Sequence, residues 1–73
     1  MEEGGNISFE LYRIFYAAAK CGNITQAARE LYLTQPSVTK HIQTLEEELG
    51  CTLFYRSRRG VSLTAAGETL FRR

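Results

Sequence analysis

Apolar side chains recur at helical intervals through the first fifty residues. Leu11, Phe15, Ala18 and Ala19 stand at i, i+4, i+7 and i+8, with Ile14 beside them, on one face of a helix. Gly22 supplies the left-handed position that commonly ends one, so a helix is expected over residues 8–21. A second, shorter helix follows Asn23-Ile24-Thr25, where Thr25 or Asn23 can accept from the unpaired N–H groups of the first turn. Ala27, Ala28 and Leu31 give it an apolar face of small residues, and it should end around Tyr32-Leu33. Thr34 is a good cap for a third start, with Pro36 in the first turn, where its missing N–H costs nothing. Val38, Ile42, Leu45 and Leu49 then recur at i, i+4, i+7 and i+11 up to Gly50, a clean amphipathic pattern. The opposite face carries Ser37, Thr39, Lys40, Gln43, Thr44 and Glu47 and no large apolar residue.

After Gly50 the period changes. Thr52-Leu53-Phe54-Tyr55-Arg56 and Gly60-Val61-Ser62-Leu63 are short, rich in strand formers, and flank Ser57-Arg58-Arg59-Gly60. They read as a two-stranded hairpin with a basic tip. A lone hairpin is marginal in water, so Leu53, Phe54, Val61 and Leu63 should dock on the helices. Thr64 caps a last helix that is still apolar at Leu70-Phe71 when the sequence stops. The expected organisation is a flexible N-terminus over residues 1–7, a folded domain over 8–63, and over 64–73 the start of a helix belonging to a longer protein.

Composition narrows the function classes. A chain of 73 residues and 8.3 kDa is one small domain with a marginal core and no room for a lid or a deep cleft, so an elaborate enzyme is not expected. One histidine and helix-surface glutamates offer no nucleophilic triad or carboxylate pair, and no cofactor is expected. Cys21 and Cys51 stand far apart with no C-x-x-C or Cys/His spacing, which argues against zinc and for a reducing compartment. The longest apolar stretch, Ile14 to Ala19, is far short of the ~20 residues that span a bilayer. The acidic N-terminus does not read as a signal peptide, so a cytoplasmic protein is expected.

Charge is unevenly placed. Residues 1–48 carry four basic and seven acidic side chains, a net −3, whereas residues 49–73 carry five arginines against Glu68, a net +4. The basic end should face a polyanion. Helices two and three with their short connection make a helix-turn-helix, whose later helix can enter the DNA major groove by its N-terminal residues. Those residues are Thr34, Gln35, Pro36, Ser37, Thr39 and Lys40, short or hydrogen-bonding as close approach to base edges requires. The starts of helices two, at Thr25, and three offer unpaired N–H groups to phosphates. The tip arginines, Arg58 and Arg59, suit the flanking backbone or minor groove.

Several stretches resemble the DNA-binding domain of LysR-type transcriptional regulators. They are Thr25-Gln26-Ala27-Ala28-Arg29-Glu30-Leu31, Thr34 to Ile42 with its Gln-Pro-Ser, Leu45-Glu46-Glu47-Glu48-Leu49-Gly50, Leu53-Phe54-Tyr55-Arg56 and Leu63-Thr64-Ala65-Ala66-Gly67. They cover roughly residues 8–71, and their order and spacing make the match specific. The resemblance implies a mostly α, winged helix-turn-helix fold: a three-helix core, a two-stranded β wing and the start of a linker helix. It implies sequence-specific binding of double-stranded operator or promoter DNA at the bacterial nucleoid, with residues 35–49 in the major groove and the wing, 56–60, at the minor groove. It further implies self-association through the linker helix and a small-molecule effector held by a C-terminal domain beyond this chain. Carried over by position, Gln35, Pro36, Thr39 and Lys40 fall on base-contacting sites. Thr25, Thr34, Ser37 and Arg56 fall on or beside backbone-contacting sites, and Arg59 falls on the wing arginine of the minor groove. Lys40 stands where the family usually has arginine, so the planar bidentate fork is missing, and Thr39 stands where serine is commoner. Tyr55 replaces a usual acidic residue, with apolar packing or a phosphate hydrogen bond as its candidate roles.

Blander readings compete at several of these positions. Glu46-Glu47-Glu48 reads as a solvated face, His41 as a surface or half-buried helix residue, and Cys51 as an inert thiol without a resolving partner. The rival function is a winged-helix module for protein association that never touches DNA. A docking face would need aromatic or aliphatic anchors, which the polar face of helix three does not offer. A thiol- or metal-dependent enzyme would need Cys21, Cys51 and His41 to converge.

Overall fold

The computed structural model describes residues 9–58 and 60–72. The order of elements is α1 (Phe9–Cys21), α2 (Ile24–Leu31), α3 (Gln35–Leu49), β1 (Phe54–Ser57), β2 (Gly60–Leu63) and α4 (Ala65–Phe71). This is the mostly helical, winged arrangement expected from the pattern. The segment 1–7, Ser8, Arg59 and Arg73 lie outside the described residues.

The helix ends follow from their caps. Asn23, in extended conformation, caps α2 by accepting the Gln26 N–H on its Oδ1 at 3.0 Å, so of the two candidates it is Asn23 and not Thr25 that caps. Tyr32 closes α2 in the left-handed region at φ 58°, and its N–H bonds back to the Ala28 and Arg29 carbonyls. Thr34 caps α3 as expected, its Oγ1 accepting the Ser37 N–H at 3.2 Å, and Gly50 ends it. Thr64 caps α4 in the same way through the Gly67 N–H.

The first three helices bury one side chain layer between them. Ile14, Phe15, Ala18, Ala27, Val38, Ile42 and Leu45 are fully buried, with the small Ala27 and Ala28 letting α2 approach closely. Leu53 and Phe54 complete the layer from the hairpin root, the Phe54 ring tilted against Phe15 at 5.3 Å between centroids. Leu49 departs from the expected stripe, at 37% exposed. Its helical phase is right, but the last turn of α3 carries it past the packed layer.

The hairpin is antiparallel, pairing Phe54 with Leu63, Tyr55 with Ser62, Arg56 with Val61 and Ser57 with Gly60. Its first strand starts at Phe54, two residues later than the strand-forming run at Thr52 suggested. The Leu53 N–H is drawn instead to the Glu46 carboxylate, and the Thr52 carbonyl accepts from the Thr64 hydroxyl at 2.6 Å. At the other end the Val61 N–H donates to the Gly22 carbonyl at 3.0 Å, tying β2 to the end of α1. Gly60, at φ 137°, allows this approach: a Cβ there would collide with the Gly22 carbonyl oxygen. Finally α4 lies on α1, where the Tyr12 hydroxyl donates to the Leu70 carbonyl at 3.3 Å and Tyr16 stacks on Phe71 at 4.9 Å.

Candidate nucleic-acid interface

The first half of α3 presents a polar, small-residue surface. Val38 and Ile42 anchor this helix in the core, which turns Gln35, Pro36, Thr39, Lys40 and Gln43 outward around one shallow depression. Gln35, Pro36, Lys40 and Gln43 are exposed, and Thr39 is half-buried at the floor. Thr34 is exposed beside them; capping uses an oxygen lone pair and leaves its hydroxyl hydrogen for an outside acceptor. Ser37 is half-buried, its carbonyl accepting the His41 Nδ1–H at 2.6 Å and its hydroxyl 3.5 Å from the same nitrogen. His41 is thus a half-buried helix residue bonded within its own turn.

A second groove runs between the start of α2 and the hairpin tip, lined by Asn23, Ile24, Thr25, Arg56, Ser57 and Arg58 among others. The Gly22–Gly60 approach creates it, bringing the exposed Arg56 and Arg58 beside the exposed Thr25 and the N-terminal end of α2. Among the described residues neither arginine, nor Lys40, is ion-paired; the described pairs are Arg13 with Glu10 and Arg72 with Glu68. Arg59, the wing arginine of the resemblance, lies outside the described residues. The structure therefore groups the remaining candidates on two polar surfaces, one around the start of α3 and one around the α2–hairpin groove.

Three findings differ from the reading of the sequence. Tyr55 is 65% exposed, which removes apolar packing as its role. Glu46 is no solvated surface residue: it is half-buried, with Oε2 2.8 Å from the Leu53 nitrogen and 3.4 Å from that of Phe54. Glu47 and Glu48 are the solvated members of that run. Gln43 belongs to the α3 depression although only its place on the polar face marked it.

The thiols do not converge with His41 into a reactive site. Cys51 is exposed, while Cys21 is half-buried on α1. Burial first, then the Glu30 carboxylate, pushes the Cys21 thiol up from its ordinary range, away from the reactive thiolate. Among the described residues no three His, Cys, Asp or Glu side chains are placed to hold a metal ion, and no helix is long and apolar enough to cross a membrane.

A helix-turn-helix with a two-stranded wing and a polar outward face on α3 defines the class. Residues 9–68 match the family model of the bacterial regulatory helix-turn-helix proteins of the lysR family, and the chain belongs to that family. It is 52% identical over 63 residues to the HTH-type transcriptional regulator ClcR of Pseudomonas putida, covering 86% of this chain and 21% of ClcR. The chain thus spans about a fifth of the length of such relatives, which are regulators and not enzymes. Its fold superimposes on a crystal structure of a CbnR_DBD–DNA complex with a TM-score of 0.88 at 41% identity, covering 90% of this chain and 76% of that one. A BenM_DBD complex with catB site 1 DNA gives 0.86 at 35% identity, over 90% and 73% of the two chains.

Proposed function

We propose that this chain is the operator-reading domain of a LysR-type transcriptional regulator, binding double-stranded DNA by sequence. The observation that carries this reading is the outward face of α3: Gln35, Pro36, Thr39 and Lys40 around one depression at the helix start, with no large apolar anchor among them. Relatives of the same fold have been crystallised on DNA, which supports it. In this assignment Gln35 and Thr39 hydrogen-bond base edges, Pro36 gives apolar contact, and Lys40 supplies a cation to a guanine edge or phosphate. Thr25, Thr34, Ser37, Arg56 and Arg58 hold the sugar-phosphate backbone, and Arg59 enters the minor groove.

The reading extends to the rest of the protein. Helix α4 begins a linker helix through which copies associate, a C-terminal domain beyond this chain binds a small effector, and the regulator works in the bacterial cytoplasm at the nucleoid. Dimeric binding places two α3 helices in successive major grooves, with half-sites ~34–36 Å apart or at a multiple of that.

The test is a fluorescence-anisotropy titration against a randomised and then a selected duplex pool over a salt series. A selected, two-fold-related motif with a steep salt slope supports operator reading. Gln35→Ala or Thr39→Ala should cost ~1–3 kcal/mol and relax preference at particular base pairs. Arg59→Ala should lower the slope by about 0.9. An equal loss on every sequence for Gln35→Ala would refute its base-reading role, and no binding at low salt would refute the function.

A further inference from the structure

The hairpin is anchored at both ends. At its tip Val61, the partner of Arg56, is bonded to Gly22 at the end of α1; at its root Thr52 and Leu53 are bonded to Thr64 at the start of α4, and Leu53 and Phe54 to Glu46 of α3. The Glu46 anchor differs in kind, because it runs from the helix proposed to read bases to the strand that carries Arg56 and leads to Arg58. One residue supplies it twice over. The carboxylate Oε2 accepts the Leu53 N–H at 2.8 Å, with the Phe54 nitrogen at 3.4 Å, while the backbone carbonyl accepts the Gly50 and Cys51 N–H groups at 2.8 and 3.2 Å. The reversal between α3 and β1 is thereby closed over its whole length. A charged acceptor on backbone N–H groups makes a stronger and shorter bond than a neutral one.

We propose that Glu46 is a positioning residue for nucleic-acid binding: its carboxylate clamps the wing to α3, so that Arg56 and Arg58 meet the DNA backbone in register with the base-reading face. The proposal rests on the DNA-binding function argued above. Glu46 sits on the third turn beyond Gln35, and α3 rises about 1.5 Å per residue, so the carboxylate works roughly 16 Å along the helix from the groove-entering end. It acts through the hairpin and not by touching DNA. A glutamine at this position would offer its one amide oxygen without the charge that strengthens the bond, and an aspartate, one methylene shorter, would fall short of the Leu53 N–H.

Two measurements test the clamp on Glu46→Gln and Glu46→Asp. The first needs no DNA. Hydrogen exchange of the Leu53 and Phe54 amides should speed up by about tenfold or more relative to the core amides of α3, since a local opening is released without global unfolding. The second is the salt dependence of duplex binding, below the melting temperature of every variant. Each neutralised phosphate contributes about 0.9 to the slope, so replacing Arg56 and Arg58 together by alanine should lower it by up to about 1.8. Both Glu46 variants should lower the slope towards that value, and adding either to the arginine double variant should lower it no further. Sequence preference at the bases read by Thr39 should stay as in the parent. A pure charge effect would instead raise the affinity of Glu46→Gln and leave Glu46→Asp unchanged, and either that pattern or full additivity with the arginine variant overturns the proposal. Unchanged exchange at Leu53 and Phe54 also overturns it. If the parent chain shows no salt-dependent binding, the DNA reading has failed, and amide exchange alone decides the clamp.

Discussion

At the scale of single residues, some positions tolerate only the residue they hold because neighbouring elements close on them. Gly67 is buried on the first turns of α4, where a Cβ would collide with the Leu53 carbonyl oxygen and come within 2.9 Å of Leu63 Cδ2. Alanine normally gains helix stability over glycine, but here the obstacle is backbone and cannot swing away. Gly67→Ala should therefore destabilise by about 1–3 kcal/mol, read as a lower urea midpoint with unchanged m. Cys21 gives a pH-dependent counterpart. Burial and Glu30 raise its thiol above the ordinary 9.0, so the folded state holds the proton more tightly than the unfolded chain. The stability this leaves is fully present below the ordinary value and is lost as pH rises through the folded one. On going from pH 8 to pH 10 the parent should lose more stability than Cys21→Ala, and at neutral pH an alkylating reagent should label the exposed Cys51 before Cys21. Of these roles the sequence disclosed the glycine's identity but not its contact, and placed Glu46 on a solvated face. Helical phase alone cannot show that a later segment folds back over a helix and presents unpaired N–H groups to it.

At the scale of elements, the boundaries were largely legible because each helix start carries a residue that solves its own N–H problem. Thr34 and Thr64 are caps in both sequence and structure, whereas Asn23 and Thr25 were equivalent candidates that only the extended backbone at Asn23 separates. The start of β1 was not legible, since Thr52 and Leu53 are good strand formers whose bonding is claimed by Thr64 and Glu46. The two threonine caps should differ in cost. Thr34 is exposed, so Thr34→Ala loses one solvent-accessible cap, about 1 kcal/mol. Thr64 is buried and its hydroxyl both accepts from Gly67 and donates to Thr52, so Thr64→Val leaves a buried N–H and a carbonyl unmatched. That change should cost at least about 2 kcal/mol, and thermal or urea unfolding of the two variants side by side checks the order. If Thr64→Val proved the milder, the α4 cap would not be what secures the hairpin root.

At the scale of the whole molecule, the uneven charge read from the sequence acquires a geometry. Of the arginines at the basic end, Arg56 and Arg58 stand on the hairpin beside α2, while Glu47 and Glu48 stay exposed at the far end of α3 from Lys40. For the DNA binding proposed above, this placement should favour approach of the polyanion by the start of α3 over its end, without adding a contact. The large apolar side chains of α4 are already engaged: Leu70 and Phe71 are half-buried against Tyr12 and Tyr16, and what it exposes is the small Ala65 with Glu68, Thr69 and Arg72. A stable interface usually buries about 1,200–2,000 Å² with an apolar centre, and seven residues of α4 with a polar outer face do not supply one. This 73-residue chain should therefore sediment as a monomer of about 8.3 kDa at micromolar concentration. On a duplex with two half-sites it should fill them nearly independently, with a Hill coefficient close to one. A longer chain that continues α4 should bind the same duplex more tightly, because one copy's binding holds the other at high effective concentration. A tight dimer of the short chain in sedimentation would place the association surface within these 73 residues, with the exposed Phe9 and Tyr16 of α1 as the first side chains to replace.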